Sequence, residues 1–275
     1  MSAPDDANDL RGLHFRRLMS QPAAWIPVLL APSLTGPLVG DLTSPALGLL
    51  AALGALLISL GIVLWIADSR AGDDFFELYA KQRGLALGGQ SELDAVTPLL
   101  MRGTKRYAVR TLEGELGDDV EGILALYTYE ETTSTDKGVQ TLYYRYTLGL
   151  VEVPECAARV PQLTCQRKFG LRALIGFEDF FRKSKQRIKL ESKALDDRYE
   201  IFADKSQDAA WLRRLFSPSF IVWLTDSAPK KFAFELRGGT LCCYVKGHKQ
   251  RADDLDAICA ASAMVAKRLR EESVE

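Results

Sequence analysis

Residues Gly84-Leu85-Ala86-Leu87-Gly88-Gly89-Gln90-Ser91 have the glycine spacing of a phosphate-binding loop. That loop needs a lysine before its final hydroxyl residue to reach the phosphates, and it follows a strand. Here Gln90 stands at the lysine position and Asp73–Arg83 reads as a helix, so a plain glycine-rich loop fits better. Metal binding needs cysteines and histidines at close spacing. Cys156 and Cys165 are nine residues apart, Cys242 and Cys243 would point to opposite faces of a strand, and His248 is the one histidine after His14. These residues read as buried thiols and a histidine in a polar turn, with no metal or cofactor expected. His248 has no serine or cysteine elbow near it, as a nucleophile–base pair would require. The acidic pairs Asp118-Asp119, Asp196-Asp197 and Asp253-Asp254 fall at turns or helix starts, where carboxylates cap backbone donors.

One charged region carries more weight. From Arg159 to Lys193 ten basic residues face three acidic ones, Glu178, Asp179 and Glu191. Within it, Leu171–Phe181 is aromatic and helical in pattern. Arg172, Arg182, Lys183, Lys185, Arg187 and Lys189 are the candidate contacts to anionic lipid or to a protein partner, each cation contributing about 1 kcal/mol near a membrane surface. The plainer alternative is that Leu174, Phe177 and Phe181 face a sheet while the cations are solvated. Nucleic acid is not an expected partner, because the net charge of the whole chain is only -1.

The elements that would position this region begin with two apolar segments. No charged residue lies between Arg17 and Asp41, and none between Asp41 and Asp68. Pro45–Ala67 is long enough to cross about 30 Å of hydrocarbon at about 1.5 Å per residue. Ala23–Gly40 contains Pro27, Pro32 and Pro37, each of which removes a helix hydrogen bond. It reads as a kinked span, with a re-entrant segment or a signal sequence as alternatives. Arg11, Arg16 and Arg17 precede the first segment and Arg70, Lys81 and Arg83 follow the second, while the connector has no basic residue. That asymmetry predicts a transmembrane helical hairpin with both termini cytoplasmic. Gly48, Ala51, Ala52, Ala55 and Ser59 place small residues four apart on the second span. Such spacing lets helices approach closely, either against the first segment or in a homo-oligomer.

Five cysteines in an uneven set do not form a disulfide framework and fit a reducing compartment. Residues 1–22 read as a cytoplasmic tail, 23–67 as the two membrane segments, 68–85 as a juxtamembrane helix, and 86–275 as a cytoplasmic α+β domain. In that domain Val120–Glu131 and Leu142–Val153 are strand-like, and the polar stretch between them reads as a long hairpin loop. Lys231–Arg237 and Thr240–Lys246 alternate around Gly238-Gly239, a strong hairpin signal. Shorter strands are expected at Tyr107–Leu112, Leu163–Phe169, Ile188–Glu191 and Tyr199–Ala203. Helices are expected at Asp208–Phe216, from Ser217-Pro218 to Leu224, and in a C-terminal stretch with Leu255, Ile258, Ser262, Val265 and Leu269 on one face. The result is a mostly antiparallel sheet with peripheral helices and a closing C-terminal helix.

The runs Thr111–Glu131, Leu150–Gly170, Tyr199–Leu224 and Phe232–His248 resemble a family of uncharacterised bacterial membrane proteins. These have an N-terminal pair of hydrophobic segments and a cytoplasmic domain of unknown function. The resemblance covers the chain from about Phe75 onward and implies an inner-membrane location, with no catalytic residue to carry over. The expected role is a membrane-anchored binding or scaffolding module. The alternatives are an enzyme with an unrecognised site acting on a membrane or envelope substrate, or a subunit of an oligomeric pore.

Overall fold

The computed structural model describes residues 12–13, 15–17, 20, 22–135, 138–168, 185–190 and 192–274. They divide into two compact units, residues 1–79 with 250–252 and residues 80–249 with 253–275.

The first unit is built on two helices, α1 (Pro22–Leu42) and α2 (Pro45–Arg83). α1 stays helical through Pro27, Pro32 and Pro37. Ser44 then accepts a bond from the Leu47 amide at 3.4 Å, and Pro45 follows as the first residue of α2. This is the chemistry of a helix start: a hydroxyl satisfies a free amide, and proline loses no bond there. The two helices meet through small residues. A Cβ on Gly48 would collide with the Gly36 carbonyl and the Gly40 backbone, and one on Gly36 would lie 3.0 Å from the Ala52 Cβ. α2 is long and apolar enough to cross a membrane, with a mean hydropathy of 2.6 over its most apolar stretch; the apolar part of α1, Val28–Leu42, is shorter. Leu49, Leu50, Leu57, Ile58 and Trp65 of α2 are each more than 60% exposed. A core helix would have buried such residues. Residues 68–83, expected as a juxtamembrane helix, are helical and continuous with the apolar part of α2, and Gly84, at φ +68°, ends the helix with the Leu85 amide bonded to the Ala80 carbonyl at 2.9 Å.

The second unit is α+β. Its strands are β1 (Ala86–Gly88), β2 (Lys105–Gly117), β3 (Val120–Thr135), β4 (Gly138–Glu152), β5 (Gln162–Arg167), β6 (Lys185–Ile188), β7 (Tyr199–Asp204), β8 (Ala233–Arg237) and β9 (Thr240–Lys246). They form one nine-stranded sheet in the order β1-β2-β3-β4-β9-β8-β5-β7-β6. Every neighbouring pair is antiparallel. Two connections are two-residue turns in the left-handed region, Asp118-Asp119 at φ 55° and 59°, and Gly238-Gly239 at 59° and 89°. Both central residues positive is the turn that matches strand twist.

Several expectations are corrected here. The polar stretch after Glu131 is strand, not loop: β3 and β4 pair without a break out to Thr135 and Gly138. Threonine is a good strand former, and cross-strand pairing sustains it. The glycine-rich stretch contains β1, paired with Thr111–Glu113. β6 ends at Ile188 rather than starting there, and a short helix α3 (Lys193–Arg198) follows, capped by Ser192. The expected helix over Leu171–Phe181 lies outside the described residues.

α4 (Ala209–Leu215), α5 (Pro218–Val222) and α6 (Ala252–Val274) complete the unit. All five residues expected on the buried face of α6 are buried, none more than 1% exposed. Packing is closest where Ser262 meets β4: a Cβ on Gly149 would strike the Ser262 Oγ, and would lie 3.0 Å from its Cβ. Trp211 of α4 donates to the Glu272 carbonyl at 2.9 Å, and the Cys156 thiol lies 3.0 Å from the Ser273 hydroxyl, so the C-terminal end of α6 is tied down. Gly149→Val should cost about 1–3 kcal/mol by overpacking, read as a lower urea midpoint of tryptophan fluorescence. Adding Ser262→Gly should restore part of the loss.

Candidate functional site

The basic stretch is only partly visible. Arg172, Arg182 and Lys183 lie outside the described residues. Lys185 opens β6 opposite Asp204, Arg187 lies 3.4 Å from Glu200 of β7, and Lys189 is exposed. Nearby, Arg167 lies over the Tyr199 ring at 5.2 Å, and Lys168 donates to the Asp196 carbonyl. Among the described residues, Arg187 is thus paired with a carboxylate that lies outside the basic stretch in sequence. On α2, Gly48 and Ala52 lie against Gly36 and Gly40 of α1. Ala51 and Ala55 are half-buried, and Ser59 donates to the Ala55 carbonyl at 2.8 Å.

All five cysteines are buried and unbridged. Burial raises the thiols of Cys156, Cys165, Cys242 and Cys243 above their ordinary value, which keeps them protonated and poorly nucleophilic. No group of three or more His, Cys, Asp or Glu placed to hold a metal occurs among the described residues. His248 lies 3.1 Å from the Thr128 hydroxyl and 3.1 Å from the Tyr127 carbonyl. Burial of its ring lowers its pKa; the bond to Tyr127 opposes the shift, and Arg145 adds to it.

The most organised set of side chains lies on the sheet face opposite α6. Tyr127 and Tyr129 of β3 pair directly with Tyr146 and Tyr144 of β4, and Leu148 of β4 pairs with Tyr244 of β9. The Tyr129 ring stacks on Tyr144 at 4.8 Å and on Tyr146 at 5.9 Å, and Tyr146 meets Tyr244 edge-on at 5.7 Å. Below them Glu235 of β8 is fully buried. Its carboxylate accepts the Leu99 amide at 2.7 Å and the Tyr244 hydroxyl at 3.3 Å. The turn around Leu99 and Leu100 thus lies over this face, where the Leu100 carbonyl also accepts from Tyr127 at 3.3 Å. Arg102 reaches the Tyr129 hydroxyl at 3.5 Å. Burial raises the phenols of Tyr127, Tyr146 and Tyr244, and the Glu235 charge pushes each further in the same direction. The hydroxyls are consequently neutral donors, suited to hydrogen bonding and ring stacking rather than acid–base work. Tyr144 and Tyr146 remain half-exposed and form the accessible edge of the cluster. Sequence reasoning missed it, although Tyr127/Tyr129 and Tyr144/Tyr146 each carry the two-residue period of one strand face.

No protein-family model matches the sequence, and no curated protein matches it. Among solved structures, the crystal structure of the mycobacterial trehalose monomycolate transport factor A is similar at 10% sequence identity and a TM-score of 0.44, over 73% of this chain and 93% of that one. A likeness at that distance assigns neither family nor function.

Glu235→Gln should destabilise the chain by about 1–3 kcal/mol, since a charged acceptor is lost and an amide N–H₂ is buried in its place; urea unfolding reads it. His248 gives a pH signature. Its folded pKa lies below the unfolded value of about 6.5, so the unfolded chain binds the proton first. Stability should fall as pH drops from about 6.5 toward the folded value, with no contribution from this residue above that range. In His248→Gln the difference between midpoints at pH 7.5 and pH 5.5 should shrink.

Proposed function

We propose that this chain is a membrane-anchored binding or scaffolding module at the cytoplasmic face of a bacterial inner membrane, of the uncharacterised family it resembles. The observation that carries this reading is α2. Its first part exposes leucine, isoleucine and tryptophan side chains that water disfavours. The same helix then continues into the sheet unit, where Arg83 is ion-paired with Asp256 of α6.

The finer reading is a helical hairpin with both termini cytoplasmic. α1 has 21 residues, which gives about 31 Å of helix. The short connector at Thr43-Ser44 and the close glycine crossing suit a tight pair. Arg16, Arg17, Arg70 and Lys81 bias the basic flanks to one side. Lys185 and Lys189, with Arg172, Arg182 and Lys183, could add headgroup contacts beside such an anchor.

Full-length protein should remain in the membrane pellet after alkaline carbonate extraction, and a C-terminal phosphatase fusion should stay inactive in the cytoplasm. Recovery in the carbonate supernatant would sink the anchor, and an active phosphatase would reverse the orientation.

A further inference from the structure

The β3–β4 ribbon outruns its neighbours. β2 stops pairing with β3 at Lys105–Glu130, and β9 stops pairing with β4 at Tyr146–Lys246. Past those points β3 and β4 still pair without a register break to Thr135 and Gly138. The last bond across the β4 edge runs from the Gly247 amide to the Arg145 carbonyl at 2.7 Å. Because backbone groups alternate sides along a strand, the N–H and C=O of Val139, Thr141 and Tyr143 face the same edge as Arg145. Among the described residues no strand pairs with them.

Free strand edges are normally blunted by shortness, proline, charge or a bulge. The sheet's two outer strands are short, with three residues in β1 and four in β6. The β4 edge has none of these devices. From Val139 to Tyr144 it reads Val-Gln-Thr-Leu-Tyr-Tyr, without charge or proline. Val139, Leu142 and Tyr143 are 72%, 43% and 57% exposed. The β3 side of the same ribbon, Glu131 to Thr135, is polar and begins with a carboxylate. At the root of the free β4 edge Arg145 and Lys246 are exposed, while on the β3 side Lys105 of β2 is ion-paired with Glu130 at 3.9 Å.

We infer that the β4 edge from Val139 to Tyr143 accepts an extended segment of a partner protein as an added strand, continuing the line of β9. The inference deepens the binding-module reading and rests on it. Main-chain bonds to Val139, Thr141 and Tyr143 supply pairing over about 17 Å. Side chains set the choice: acidic residues where the segment starts beside Arg145 and Lys246, and apolar ones along Leu142 and Tyr143. The row of main-chain donors and acceptors next to Arg145 and Lys246 favours an acidic, extended segment of a partner protein. It also separates the edge from a lipid site, since a headgroup cannot use a row of main-chain donors and acceptors.

The test uses full-length protein in its own membrane, with the photo-crosslinker p-benzoylphenylalanine at Gln140. Irradiation should give one discrete protein adduct, whose crosslinked peptide, identified by mass spectrometry, is rich in Asp and Glu. Thr141→Pro removes one N–H on the free edge and none that pairs with β3. It should lower the adduct at least tenfold while protease resistance and carbonate-resistant membrane retention stay unchanged. Val139→Pro, on the same edge, takes its place if Thr141→Pro does not fold. Arg145→Glu should lower the adduct as well. An adduct undiminished in the proline variants, an adduct to lipid or to a second copy of the chain, or no adduct would each overturn the inference. Loss of membrane retention in the unsubstituted protein would instead overturn the anchor.

Discussion

A fully buried carboxylate is costly unless its oxygens are hydrogen-bonded, and Glu235 sits in the middle of a nine-stranded sheet. Much of the sheet's tyrosine face follows from satisfying it. The Leu99 amide must come down onto the sheet, so the turn after β1 is held over the face and Leu99 and Leu100 are buried with it. Tyr244 must turn its hydroxyl toward the same group, which aligns its ring for the edge contact with Tyr146. Apolar packing alone would tolerate several positions of that turn; a directional bond to a charge selects one.

The other face is organised by shape rather than charge. Gly149 lets α6 lie close enough for Ser262 to touch β4, and the buried row from Leu255 to Leu269 closes over the strands. α4 and α5 extend this layer through Phe216 and Phe220, which pack on Phe234 of β8. The sheet is therefore a divider: a polar-centred, tyrosine-lined layer on one side and a helix-covered apolar layer on the other. Cys242 and Cys243, adjacent in sequence, fall one on each side.

Local signals in the sequence were read well and long-range ones poorly. The Gly238-Gly239 hairpin, the α6 face and the helix start at Ser217-Pro218 depend on neighbouring residues, and they stand where propensity puts them, although Ser217 makes no capping side-chain bond. The extent of β3 and β4 was misread because polar threonines resemble loop until a partner strand is known. β1 is three residues long and exists only because β2 pairs with it. The tyrosine cluster was illegible for the same reason: its members come from three strands, and Glu235 looked like one polar position in an alternating strand. The Arg187–Glu200 ion pair was equally illegible, since Glu200 reaches Arg187 only through pairing of β6 with β7.

The five buried thiols have a use apart from packing. They are distributed over the turn after β4, over β5, over both faces of β9 and over α6. In the closed fold each is shielded from a thiol reagent, so labelling proceeds only when its own element opens. The native chain thus carries a built-in set of clocks. The order in which the thiols label, resolved by peptide mass, would rank the elements of the sheet unit by local opening without a single engineered probe.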